Sequence, residues 1–366
     1  MPVKIKDQPF YIQSTVVLFG IILLVYIMSQ LADILVPLAF AAFLAILLNP
    51  LCNWLQRHKF GRGLSIATAM FIALCAVTGL FYFLSVQIIQ FGDAFPMLEK
   101  KFSAITLDLK QWIATNFNIA VSKQEAMVKN ALSNSQAMVG KTLNGVLGTL
   151  GVVLLLPVYI FFMLLYKTLI LNFLYEVFSE ENSKKVGEIL SETKSAIQSY
   201  IMGLLIETTI VAVLNSAALL LLGVKYGILI GCIGAILNLI PYLGGIIAIG
   251  LPILMATVTK DGYSTQIGVI VAYLVIQFID NNILVPRIVS SKVQINALMS
   301  IIVVLLGNQL WGISGMFLSI PFVAVLKIIF DRIDELKPWG KLLGDNIPTK
   351  TMGERWSNKR KKAILD

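Results

Sequence analysis

The chain has 366 residues, 57% of them hydrophobic and only 13% charged, with a net charge of +9 and a mean hydropathy of +0.84. A soluble domain carries about 25% charged residues, so a soluble enzyme or binding module is excluded and an all-α, polytopic membrane protein is predicted. The basic residues sit at the ends of apolar runs and in the tail, where they orient a membrane protein; no basic and aromatic module for nucleic acid accompanies them.

Two apolar runs come first, Val16–Met28 and Ile34–Leu48, with Gln30, Asp33 and Pro37 between and after them. Both are short for full spans, and a tightly packed hairpin is predicted. Lys4 and Lys6 ahead of the first run resemble a signal peptide, but no small-residue cleavage site precedes the second run, so a retained span is the reading. Asp33 reads as a turn residue at an interface. The basic loop Arg57, His58, Lys59 and Arg62 then marks the cytoplasmic side and puts the N-terminus there too.

Leu64–Phe91 is a third span leading outward. In the external segment that follows, Phe102, Ile105, Leu109, Trp112 and Ile113 recur at helical spacing, and Ser122-Lys123-Gln124-Glu125 is a capping box for a second helix. Leu147–Tyr166, with a kink expected at Pro157, returns inward. Val186, Ile189, Leu190 and Ile197 make an apolar stripe in a polar stretch, which predicts a helix lying on the cytoplasmic surface. Ser199–Gly223 leads outward again.

Two breaks interrupt the apolar region from Tyr226 to Phe330. Asn238-Leu239-Ile240-Pro241-Tyr242-Leu243-Gly244-Gly245 divides two runs that are each too short to span, as two short spans or a re-entrant hairpin. Asp280-Asn281-Asn282 through Pro286-Arg287 breaks the next. Asn308-Gln309-Leu310-Trp311-Gly312 divides Ala297–Phe330 as a solvated hairpin tip, and the chain ends in a basic cytoplasmic tail. The predicted regions are the first three spans over 1–91, an external helical hairpin over 92–145, a C-terminal transmembrane region over 146–335 containing the surface helix at about 168–199, and the tail over 336–366, with about eight spans in all.

Pro241 cannot donate a helical hydrogen bond, and Gly244 and Gly245 permit unusual backbone angles. Broken helices free carbonyls and N–H groups that bind ions or polar solutes, which makes Asn238, Pro241, Tyr242, Gly244 and Gly245 candidates for a substrate or ion path, although a tight cytoplasmic turn between two spans also fits. Gln277, Asp280 and Asn281 lie three and four residues apart, so they are expected to form a polar patch, with Asn282, pointing into a bundle. Asp280 is a functional candidate as an intramembrane carboxylate; the alternative is an interfacial carboxylate paired with Arg287. Glu207 is eight residues into its span and Asn215 eight further on, on roughly the same face. That carboxylate is either capped by neighbouring hydroxyls such as Thr208 and Thr209, held by a snorkelling Lys, or a proton or cation site. Gly227 and Gly231 form a small-residue helix contact, and such faces suggest self-association.

Enzyme signatures are missing. Gly140-Lys141-Thr142 resembles the end of a phosphate loop, but position 135 is Ser where Gly is required. Three cysteines without a CxxC and one histidine give no basis for a zinc site or a disulfide framework, and no cofactor is expected.

Together, Asn238-Leu-Ile-Pro-Tyr-Leu-Gly-Gly, Asn282-Ile-Leu-Val-Pro-Arg-Ile, Gly307 through Gly312, Gly315 and Ser319-Ile-Pro-Phe resemble the autoinducer-2 exporter family of bacterial membrane proteins. Val36-Pro37 and Leu48-Asn49-Pro50-Leu51 also fit, and the similarity covers roughly residues 10 to 335. The sequence departs at Gly245, where many relatives carry Pro, and at Ser290, where many carry Gly. The resemblance implies about eight spans, export of a small polar signalling molecule in some members, and sodium or lithium extrusion against protons in others. It thus implies a solute or a monovalent cation or proton as partner, in a lipid bilayer. A non-transporting scaffold binding partners through 92–145 would leave both broken segments unexplained.

Overall fold

The computed structural model describes residues 9–117, 155–178, 183–239, 244–260, 262–289 and 295–345. Its elements are helices: α1 (Phe10–Gln30), α2 (Ala32–Arg57), α3 (Arg62–Phe117), α4 (Leu155–Leu165), α5 (Lys167–Val177), α6 (Ser183–Leu221), α7 (Gly227–Asn238), α8 (Gly244–Thr259), α9 (Ser264–Ile279), a π-helical continuation (Asp280–Val289), α10 (Ala297–Arg332) and α11 (Lys337–Leu343). Among the described residues six helices are long and apolar enough to cross a membrane, or seven if the bent α4–α5 pair is one span. Capping box 122–125 and the tail beyond 345 lie outside the described residues, as does Pro157's neighbour segment 118–154.

The expected tight hairpin of α1 and α2 does not form, because α1 has no buried residue. The reason is the junction. Leu31 is close to helical (φ −94°, ψ 18°), and the hydrogen-bond ladder runs through it from Leu31 N to Ile27 O and from Leu35 N to Leu31 O. A single near-helical residue bends a chain without reversing it.

The third span is the start of a 56-residue helix. At a 1.5 Å rise per residue α3 is about 84 Å long, against a hydrocarbon core of about 30 Å. Its apolar part, Arg62–Ile89, matches the predicted span, and the rest runs on as helix without a break. The surface helix is likewise not separate: Ser183–Leu221 is one helix of 39 residues. The stripe predicts a helix lying on the cytoplasmic surface, but Val186 and Ile197 are buried inside the protein. An apolar stripe reads the same whether lipid or protein covers it.

Three apolar clusters hold the bundle. Ala41, Ala45, Cys52, Ile66, Ala69, Ile160 and Leu164 join α2, α3 and α4. Phe43, Ile197, Tyr200, Val289 and Leu318 join α2, α6, the π segment and α10. Leu219, Ile230, Ala248, Met255 and Val269 join α6 through α9. α2 belongs to the first two clusters and α6 to the last two, so these two helices tie the clusters together.

Two broken hairpins shape the C-terminal half. α6 ends at Gly223 (φ +65°), with Val224 N donating to Leu219 O, a left-handed cap of the kind glycine favours. α7 and α8, of 12 and 16 residues, are then about 18 and 24 Å long, both short of the hydrocarbon core. They fold against each other: a Cβ on Gly234 would lie 3.3 Å from that of Ala248. In α10 the expected tip is present, since Trp311 and Gly312 leave helical geometry, with Gly312 at φ 60°, ψ −142°. The chain reverses there. A Cβ on Gly307 would come within 2.4 Å of Gly315 O, and one on Gly315 within 2.0 Å of Gly307 O, although the two are eight residues apart in sequence. Trp311 Nε1 donates to Met28 O at 3.0 Å, joining the tip to the α1–α2 junction; the sequence had placed both on the same side.

At the other end, Arg332 closes ion pairs with Glu188 and Glu192 of α6. Asn296 caps α10 by accepting from Met299 N (2.9 Å), while its amide donates to Leu342 O, Leu343 O and Gly344 O. This side chain, together with Asn296 N donating to Leu343 O and the bridge between Ile295 and Gly344, latches α11 to the bundle. Loss of a side-chain N-cap costs about 1 kcal/mol. Asn296→Ala is expected to speed hydrogen exchange of the α11 amides at least about tenfold, as α11 opens locally, while core amides exchange as before. Unchanged α11 protection would show that this side chain contributes nothing to the latch.

Candidate functional site

The site forms where α6, α7 and α9 meet. α6 and α7 run antiparallel with close backbones. A Cβ on Gly227 would meet Leu219 at 3.0 Å, and one on Gly231 would lie 2.5 Å from Ser216 Oγ and 2.6 Å from Ser216 N. The small-residue face read as a possible subunit contact is therefore used inside the chain. This register carries Asn238, the last residue of α7, to Glu207 on α6. Asp280 arrives from the opposite side, at the point where α9 widens into the π segment.

Asn238 bridges the two carboxylates. Its Nδ2 donates to Glu207 Oε1 at 3.2 Å and to Asp280 Oδ2 at 2.9 Å. An amide has two hydrogens to give, and both are spent here. Glu207 is 3% exposed and Asp280 2%. The bridge between them is neutral, so the hydrogen bonds it donates bring no positive charge to the two buried carboxyl groups. Asp280 Oδ1 has no partner among the described residues. The site is thus two acidic oxygen donors drawn together with capacity left over.

Thr208, next to Glu207 in sequence, is also in side-chain contact with the Glu207 carboxyl group. Asp280 is bonded to Asn238 and buried, while Arg287 is exposed. Thr209 spends its hydroxyl on Leu205 O at 2.7 Å.

The π segment has a local cause. Pro286 has no N–H, and its ring would clash with the carbonyl of Asn282 in an α-helix; the wider winding, bonded i to i+5, relieves this. Pro286 itself is exposed. The polar patch expected at 277–282 is split. Asp280 points inward, whereas Gln277 Nε2 donates to Asn281 Oδ1 (3.3 Å) on the exposed flank and Asn282 donates to Phe278 O there. Asp280 and Asn281 flank Gln277 on either side of its face, about 100° apart, so only one of them can point inward. Gly244 and Gly245 open α8, and Pro241 and Tyr242 lie outside the described residues.

Asn215 is buried on the same face of α6 as Glu207, with its Nδ2 3.5 Å from where a Gly234 Cβ would be, and its Oδ1 has no partner among the described residues. Two α9 residues that sequence reading missed belong with it. Gln266 and Tyr273 are buried, and Gln266 Oε1 and Tyr273 OH are also without partners there. Gln266, Tyr273 and Asp280 recur every seven residues, so one face of α9 carries a polar file about 10.5 Å per step. That spacing was visible in the sequence. Gly203 was missed without any signal: it lies under the π segment, where a Cβ would be 2.6 Å from Ile288 O.

A bundle of apolar helices with two broken hairpins, buried carboxylates and a polar file belongs to a membrane transporter. The chain belongs to the AI-2E family of transporters, whose family model matches residues 15–335. It is similar to the putative transport protein YrrI of Bacillus subtilis, 24% identical over 81% of this chain and 85% of that one. It is also similar to the putative transport protein YhhT of Escherichia coli K12, 24% identical over 87% of this chain and 90% of the relative. The AI-2 transport protein TqsA of the same organism is 24% identical over 82% and 86%.

Proposed function

We propose that this transporter is a secondary exporter of a small polar solute, an autoinducer-2-like molecule, across the bacterial inner membrane, with both termini cytoplasmic. The Glu207–Asn238–Asp280 cluster is its coupling site, where a proton or monovalent cation binds between the carboxylates. One observation carries this reading: both carboxylates are almost fully buried and share one amide. A structural pair would gain more from a buried Arg or Lys than from a neutral bridge. Tyr273 and Gln266 on α9, with Asn215 on α6, supply a wettable route, since buried polar atoms without protein partners are where ordered water binds. The name of TqsA supports the solute class. A second reading, sodium or lithium exchange for protons, is favoured by the same carboxylate pair.

Everted vesicles separate the two. Proton-driven solute uptake that falls at least about tenfold in Glu207→Gln and in Asp280→Asn, at equal protein level, is the expected result; a tenfold change is about 1.4 kcal/mol. A pH-sensitive dye response to sodium or lithium alone, lost in the same variants, selects antiport. Neither signal in well-inserted protein leaves the scaffold reading and ends both.

A further inference from the structure

Away from the carboxylate site, a cavity of about 300 Å³ opens between α2, the bent α4–α5 pair and α6. That is the small end of the range for ligand pockets, about 300–1,000 Å³. Its walls are apolar, from Ala45 and Ile46 on α2, Leu171 on α5 and Leu190 on α6. Lys167 and Lys194 also line it. Arg62 stands next to them, its guanidinium donating to Leu164 O and Thr168 Oγ1 at 3.4 Å each.

Among the described residues these three cations have no carboxylate partner. Lys167 Nζ has a neutral partner, Asn49 Oδ1, at 3.0 Å. Lys194 and Arg62 both repel the Lys167 ammonium, and none of the three forms an ion pair among the described residues. Thr193 Oγ1, also at the cavity wall, is buried without a partner among them. An apolar cavity with clustered positive charge is complementary to a ligand with an apolar tail and an anionic head. The chain bends by 65° between α4 and α5, and the side chains of α5 are exposed along much of its length, as on a helix lying at a lipid headgroup surface.

We propose that this cavity is a binding site for an anionic phospholipid. The phosphate sits among Lys167, Lys194 and Arg62, Thr193 Oγ1 donates to a headgroup oxygen, and one acyl chain enters between Ile46, Leu171 and Leu190. Basic pockets between membrane helices bind anionic headgroups by this combination of charge and depth. The site does not involve Glu207, Asn238 or Asp280.

The test uses the purified full chain in a neutral detergent, with thermal unfolding followed as phosphatidylglycerol, phosphatidylcholine or inorganic phosphate is added. Phosphatidylglycerol is expected to raise the midpoint by several degrees at near-stoichiometric ratios, with phosphatidylcholine and phosphate giving no shift. Lys167→Gln and Lys194→Gln should each remove most of that shift, and Lys194→Arg should keep it. Leu171→Trp, which fills the cavity and leaves every charge in place, should remove it too; this separates a seated lipid from general attraction to a basic face. An equal shift in the Gln and Trp variants, or a shift with phosphate alone, overturns the proposal. If a Gln variant does not yield folded protein, the Trp and Arg variants decide.

Discussion

Asn238→Leu is expected to abolish transport and to destabilise the protein by about 1–3 kcal/mol for each carboxyl group left without its hydrogen bond, the cost of an unsatisfied buried acceptor. The substitution keeps the side chain's approximate volume and removes both hydrogen bonds to Glu207 and Asp280. Two carboxylates then face one another with no donor between them. Adding Asp280→Asn to this variant should restore much of the stability, because a single buried carboxyl group can hold its proton and be neutral. Transport should stay lost, because the pair is gone. This non-additive recovery is the signature of residues in direct contact. If thermal unfolding shows Asn238→Leu to be as stable as the parent, the carboxylates are not buried together.

Gly315→Ala carries the other large effect. A Cβ there would sit 2.0 Å from Gly307 O, 2.7 Å from Gly307 C and 3.0 Å from Trp311 Cβ, so backbone has to move. Overpacking of even a flexible core costs about 1–3 kcal/mol, and this contact is backbone on backbone. The α10 hairpin is expected to open, taking with it the Trp311–Met28 bond and the stacking of Phe40 on Phe317 (centroids 5.7 Å apart). Size-exclusion profiles in detergent should show loss of monodisperse protein. Gly312→Ala tests the turn separately: its φ/ψ lies in a region almost confined to glycine, at a cost of about 1–3 kcal/mol, while open space surrounds the new methyl. A monodisperse Gly315→Ala protein of parental stability would falsify the Gly307–Gly315 contact.

The sequence singled out Glu207 and Asp280 as costly carboxylates in apolar runs, and Asn238 separately as the start of a helix break. It could not join them. That depends on the antiparallel register of α6 and α7, which Gly227 and Gly231 set through contacts with Leu219 and Ser216. Helical periodicity gave one face to Gln277, Asp280 and Asn281; the local geometry sends Asp280 inward and the other two outward. The hairpin tip at Asn308–Gly312 was legible because glycine and polar residues interrupt an apolar run. The α1–α2 hairpin was misjudged on a similar cue, since Gln30 and Asp33 are as compatible with a bend as with a reversal. Long-range pairs such as Lys167 with Asn49, or Arg332 with Glu188 and Glu192, leave no mark on local spacing.

From Val16 to Ile27 α1 is apolar around its whole circumference, and every residue of that stretch is exposed among the described residues. Lipid is therefore the solvent along Val16–Ile27, and α1 is tied to the bundle at the Leu31 junction and by the bond from Trp311. That stretch is constrained by length and greasiness alone, with no side-chain shape to match. Conservative exchanges along Val16–Ile27 should drift freely, while one methyl at Gly315 on the far side of that bond is forbidden.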